Sequence, residues 1–197
     1  LKVWEDADLK AQQGKWPVIF LSFAGIKGRT YDDTMVQMKK LLTRLYLDFP
    51  ELYRYEGFEN NERQSLKKIC EDMSDTEAAL SVNLLSGLLR KVYGKKVLIF
   101  LDEYDTPLQE AYINGYWDEL VAFTRTMFNN AFKTNSSLER GIMTGITRVS
   151  KESIFSDLNN LVVITTTSNR YADCFGFTEG EVFQALEDQG FTEKDKR

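Results

Sequence analysis

A chain of 197 residues, 43% hydrophobic and 13% aromatic, is long enough to bury one core of ordinary domain size. Its formal net charge of -5 and pI near 5.0 give no overall attraction to nucleic acid or to an anionic membrane, so neither is expected as a partner through this domain alone. Histidine is absent, which excludes triad hydrolases and imidazole-ligated metals, and Cys70 and Cys174 lie far apart without metal-ligand spacing, as reduced thiols of a cytoplasmic protein do.

The first predicted element is the strand "PVIFLSF", Pro17 to Phe23, apolar at nearly every position and therefore expected to be parallel, internal or nearly so, and covered on both faces. After "GIKGRT", Thr30 is placed to cap a helix whose Met35, Met38, Leu41, Leu42, Leu45 and Phe49 recur at helical spacing as far as Pro50. The polar stretch "YEGFENNERQ" intervenes. Ser74 and Glu77 then have the spacing of a capping box, followed by Leu80, Leu84, Leu85, Leu88, Leu89 and Val92 on one face and a stop at Gly94. The strand "KVLIFLDE" comes next, with Asp105 and Thr106 read as turn formers before Pro107. Trp117, Leu120, Val121, Thr124, Met127, Phe128 and Ala131 mark a further helix, and "LERGIMT" a strand ending at Thr144. "GITRVSKESIF" reads as a loop with a short helical turn, "LVVITTT", Leu161 to Thr167, as a last strand, and Thr178 with Glu181 as the cap of a last helix. No apolar run approaches the roughly 20 residues of a membrane span, and no signal peptide opens the chain.

Strands alternating with helices predict an α/β three-layer sandwich around a mostly parallel sheet, in one domain over 1–197. From about residue 171 the chain starts a following helical segment. Ligands of such sheets bind beyond the carboxyl ends of the strands, where Asp102, Glu103 and Thr144 all fall. An apolar strand ending in Asp has the form of a Walker B element, in which the Asp holds Mg²⁺ and a following Glu orients or deprotonates the attacking water. Taken alone, the same stretch equally suits a strand that leaves the core for solvent. A two-metal hydrolytic site on Asp102, Glu103 and Asp105, as in a nuclease, is a further alternative, although three carboxylates within four residues cannot all turn inward from one strand end.

The blocks "WPVIFLSFAGIKGRTYDDTMVQMKKL", "VLIFLDEYDTPLQEA", "GIMTGITRVSKESIFSDLNNL" and "YADCFGFTEGEV" resemble, in order, those of the predicted AAA-ATPase-like family of bacteria. The resemblance implies a P-loop NTPase-like module of the additional-strand, catalytic-glutamate type, often followed by a nuclease-like domain of the PD-(D/E)XK type. It implies ATP and Mg²⁺ as cofactors, Asp102 as the metal residue, Glu103 as the catalytic base, Thr144 as a polar nucleotide sensor, and Arg148 as a phosphate-sensing or finger arginine.

The pattern departs from the family's widely, and the nuclease-like domain is not among the 197 residues. No G-x-x-x-x-G-K-[ST] phosphate loop occurs in the 197 residues, and "GIKGRT" is read as having neither its spacing nor its strand-to-helix setting. The chain is therefore expected to be a piece of a longer protein, lacking the first strand and P-loop and inactive by itself, with a non-hydrolysing nucleotide switch or docking module as the alternative. The loss of that strand is expected to leave 138–144 and 161–167 with open edges. These would close by pairing with each other or recruit a second chain as a homodimer. The basic clusters "GIKGR", "RKVYGKK" and "RVSK" read as solvated charges or complements to helix dipoles.

Overall fold

The apolar run after Pro17 folds as strand β1, Val18–Ser22, and a four-residue helix α1, Ala7–Lys10, precedes it. The computed structural model describes residues 4–146, 158, 161–171 and 176–191. The chain divides into two compact units, Leu1–Asn159 and Asn160–Arg197.

Within the first unit, helix α2, Tyr31–Leu47, begins where the Thr30 hydroxyl accepts the Asp33 amide at 3.1 Å, satisfying one of the free N–H groups of the first turn. It buries Met35, Met38, Leu42 and Leu45 and gives way to a 3₁₀ turn at Pro50–Tyr53. The polar stretch that follows holds a helix the apolar spacing did not reveal, α3, Asn60–Lys67. Leu66 is its one buried residue, so it carries no apolar stripe; the reciprocal Glu59–Glu62 capping box starts it. Helix α4, Asp75–Tyr93, has the expected Ser74–Glu77 capping box and stops at Gly94, whose φ of 65° suits glycine best.

Strand β2 is Val97–Asp102. The segment expected as a turn instead opens helix α5, Thr106–Asn114, with Asp105 as N-cap residue and Pro107 in the first turn, where its missing N–H costs nothing. Helix α6, Trp117–Phe128, runs on into a π-turn at Asn129–Lys133, and strand β3, Leu138–Met143, follows.

The three strands pair in parallel in the order β1-β2-β3. Val18 pairs with Leu98 and Ser22 with Asp102, while on the other side Leu101 pairs with Met143 after a bulge at Val97/Leu98. Because side chains alternate across a strand, Ile19, Leu21, Val97, Ile99 and Leu101 share one face, and each is 2% exposed or less. Helix α2 packs on β1, α4 on β2, and α4 also on α2 and α6. Burying each such side chain contributes roughly 1.5–3 kcal/mol, so this face holds the core. A polar clamp joins the starts of α2 and α4: Asp75 accepts hydrogen bonds from Tyr31 Oη and Lys39 Nζ, each at 2.8 Å. Burial, followed by the Asp75 hydrogen bond, pushes the Tyr31 hydroxyl well above the usual tyrosine range. Burial alone would raise Asp75, but the hydrogen bonds from Lys39 and Tyr31 outweigh it and hold the carboxyl below its ordinary value.

The opposite face corrects the reading of β1 as doubly covered. Val18 and Phe20 are 38% and 58% exposed, Ile142 on β3 is 50% exposed, and Leu98 and Phe100 are half-buried. Among the described residues β1 is an edge strand, and the helical layer lies against one face of a small parallel sheet. An all-apolar strand does not by itself say which of its faces a helix covers.

In the second unit, helix α7, Glu179–Asp188, has the expected Thr178–Glu181 capping box. The strand expected at Leu161 to Thr167 does not form. Its residues carry no ladder, and the polar end turns on itself through Ser168 N–H to Thr165 O (2.9 Å) and Thr165 N–H to Ser168 Oγ (2.9 Å). Hydroxyl-to-backbone bonds of this kind compete with strand pairing, and no other strand is present among the described residues of that unit. The strand ladder expected for 161–167 is therefore absent among the described residues. Among the described residues no helix is long and apolar enough to cross a membrane.

Candidate functional site

Three parallel strands end together, and the last residues of β1 and β2 with the residue that follows β3 bring one carboxylate and two hydroxyls into a row. The Asp102 carboxylate, at the end of β2, accepts a hydrogen bond from Thr144 Oγ1 on Oδ1 (2.6 Å) and from Ser22 Oγ on Oδ2 (3.2 Å). The register dictates this: Ser22 is the direct partner of Asp102, and Thr144 follows the Leu101–Met143 pair. Backbone bonds carry the ladder past the strand ends, from Phe23 N–H to Asp102 O (2.9 Å), Thr144 N–H to Leu101 O (2.9 Å) and Tyr104 N–H to Thr144 O (3.1 Å).

Glu103 leaves the sheet with φ of 50°, a left-handed conformation that a residue with a Cβ adopts only under constraint. Its carboxylate accepts from Thr106 Oγ1 at 3.2 Å, and its carbonyl accepts the Thr106 amide at 3.1 Å. Asp102 and Glu103 are both partly exposed, whereas Asp105 is 1% exposed and accepts from Gln109 Nε2 at 2.9 Å. Burial takes Asp105 away from the open edge on which a second metal would sit. Among the described residues no group of three or more Asp, Glu, Cys or His side chains is placed to hold a metal ion.

Of the expected site residues, the structure brings Asp102 and Thr144 into contact, and Glu103 directly follows Asp102; Arg148 lies outside the described residues. Ser22 was missed by sequence reasoning. Its signal is the lone polar side chain that ends "VIFLS", legible only once β1 is known to pair in register with β2. The donor set, one carboxylate flanked by two hydroxyl oxygens, is the hard-oxygen type that suits a hydrated Mg²⁺.

The "GIKGRT" loop has a setting other than the expected one, because it does join a strand, β1, to a helix, α2. Its backbone groups are engaged within the chain. Gln37 fixes it through Lys27 N–H to Gln37 Oε1 and Gln37 Nε2 to Lys27 O, both at 3.0 Å, and Tyr116 Oη donates to the Gly28 carbonyl at 2.7 Å. The helix start behind it is capped by Thr30 and carries Asp32 and Asp33, which oppose an anion there. Of the basic clusters, Arg90 donates to Ser136 O (3.0 Å) and Lys91 pairs with Glu62 (2.6 Å), so that run is structural in part.

The architecture is a small parallel α/β sheet with acidic and hydroxyl side chains gathered at its carboxyl edge, the edge at which sheets of this kind bind ligands when they bind them. The chain belongs to the predicted AAA-ATPase family, whose sequence model matches residues 2–155. It is 28% identical over 130 residues to the "Uncharacterized protein in vnfD 5'region" of Azotobacter chroococcum mcd 1, an alignment covering 58% of this chain and 24% of that relative. The chain thus spans about a quarter of that relative's length. No solved structure matches it.

Proposed function

We propose that this chain is the metal-and-water half of an ATP-hydrolysing domain, a P-loop NTPase-like module of the additional-strand, catalytic-glutamate type, in a cytoplasmic protein. Asp102, its carboxylate oriented by Ser22 and Thr144, is the residue that would hold Mg²⁺. When bound, the ion neutralises charge on the phosphates. Glu103 orients the attacking water and takes its proton, Thr144 senses the γ-phosphate, and Arg148 answers the charge that develops there. The lysine and backbone N–H groups that grip the phosphates belong to a Gly-Lys-Ser/Thr loop that the 197 residues do not contain. The observation that supports this reading most is the Ser22–Asp102–Thr144 row beside a backbone-constrained Glu103 in a chain of this family. A nuclease-like domain attached downstream is the element that hydrolysis would rearrange. A homodimer through the outer edge of β3, which among the described residues pairs with β2 alone, is the proposed assembly.

Calorimetric titration of ATP with Mg²⁺ tests the reading. This chain alone binds weakly or not at all, and the full-length protein binds and turns over. In the full-length protein Glu103→Gln leaves binding within a few-fold and removes turnover; equal loss of both would make Glu103 structural. A second reading, a nucleotide switch or docking module without turnover, is favoured by the missing phosphate loop and the partly exposed apolar sheet face. It predicts that the full-length protein never hydrolyses ATP, binding it if it is a switch and not if it is a docking module.

A further inference from the structure

Glu103 and Thr144 each follow a different strand, directly after its last residue, Asp102 on β2 and Met143 on β3. Three features join these two exits. The left-handed Glu103 (φ 50°) turns the chain so that the next amide, Tyr104 N–H, donates to the Thr144 carbonyl at 3.1 Å. Asp105 then folds inward to 1% exposure, and the first turn of α5 grips it from both ends: Gln109 N–H donates to its carbonyl and Gln109 Nε2 to its carboxylate, each at 2.9 Å. Finally, residue 145 is glycine, and a Cβ there would lie 2.5 Å from Asp105 Oδ1, 2.9 Å from its Cγ and 2.9 Å from Tyr104 Cε1. These atoms cannot readily give way. Tyr104 is 9% exposed and set edge-on against Phe128 (centroids 6.2 Å apart, 72° between planes), and Asp105 is held as described. Gly145 is therefore required by close approach, since the backbone leaving β3 rests directly on the Asp105 carboxylate.

We infer that Asp105 and Gly145 form a latch that positions Glu103 and Thr144 relative to each other around Asp102. Neither touches the reacting atoms. They act by making the turn that carries Glu103 and the exit that carries Thr144 one packed unit, so that neither can shift without displacing the other. The kinetic consequence rests on the ATPase reading proposed above; the packing itself does not.

The test is a double-mutant cycle in the full-length protein, with Gly145→Ala, Asp105→Ala, the two combined, and Asp105→Asn as the conservative variant. Gly145→Ala is expected to lower Tm by on the order of 5 °C, the scale of an overpacked site in a domain of this size, and to lose less than half of that in the Asp105→Ala background. Turnover should fall tenfold or more in Gly145→Ala and Asp105→Ala with KM for ATP within about twofold, and Asp105→Asn should recover most of it. The same Tm loss for Gly145→Ala in both backgrounds overturns the latch. A Tm coupling without any change in kcat overturns its positioning role and leaves the pair purely structural. If the unsubstituted protein shows no turnover, the ATPase reading fails, and the Tm cycle alone decides whether the latch exists.

Discussion

Replacing Glu103 by glycine and, separately, by valine removes the same carboxylate but leaves stability nearly unchanged in the first case and lowers it in the second. The structure sets the size of the difference. At φ of 50° a residue with a Cβ is strained by roughly 1–2 kcal/mol. Glycine removes that strain but adds about 0.4–1 kcal/mol of unfolded-chain entropy. Both variants lose the hydrogen bond from Thr106 Oγ1, which at 3.2 Å and partly exposed is worth about 0.5–1 kcal/mol. Glu103→Gly should therefore lie within about 1 kcal/mol of the native protein. Valine keeps the strain, and its β-branch makes the left-handed region worse by about a further 1 kcal/mol. A gap of about 2 kcal/mol between the variants corresponds to roughly 4–8 °C in Tm for a chain of this length. Scanning calorimetry of both variants measures it, with ATP turnover recorded in parallel and expected to be absent in each. If Glu103→Val melts within 1 °C of Glu103→Gly, the backbone at 103 is not constrained as described, and the argument from its conformation fails.

Two other outcomes are expected. Thr144→Val removes the hydroxyl 2.6 Å from Asp102 Oδ1 and should reduce turnover or Mg²⁺ affinity of the full-length protein roughly tenfold, as losses of partners that orient a metal ligand do; Ser22→Ala, at 3.2 Å, should cost less. Asp75 has a folded pKa held below its unfolded value, so its clamp contributes stability that is present above about pH 4 and lost as pH falls through the folded pKa. Asp75→Asn should lower stability by up to about 1 kcal/mol at pH 7, the pair being partly exposed, and thermal melts should show the gap to the native protein closing at low pH.

The parts of the fold legible in the sequence are those whose signal is local and repeated. Helices α2 and α4 carry both a hydroxyl cap and several turns of apolar side chains on one face, so start, length and inward side can be read together. Helix α3 has the cap without the stripe, because one buried leucine suffices to hold it, and α5 is masked by Asp105 and Pro107, residues equally at home in a turn and in a first helical turn. The segment 161–167 shows the opposite failure. Its apolar residues satisfy a strand pattern, yet a strand exists only where a neighbour supplies the ladder, and β-propensity carries no information about that neighbour.

The site divides along the same line. Asp102 and Glu103 are adjacent in sequence and end a strand, so a local pattern and a family resemblance reach them. Thr144, 42 residues further on, is reached as a strand end and through the family resemblance, but its contact with Asp102 follows only once its strand is known to lie beside β2, and Ser22 needs the register as well as the neighbour: a slip of one residue would turn its side chain to the buried face. Gly145 lies deeper still. Its identity is dictated by atoms of Tyr104 and Asp105 that come within 3 Å of where its side chain would begin, a condition no spacing or periodicity encodes. Residues that contribute chemistry at such a sheet edge are therefore more legible than residues that hold the edge in register, because a functional group is written in one letter and a close approach between two chain segments is not.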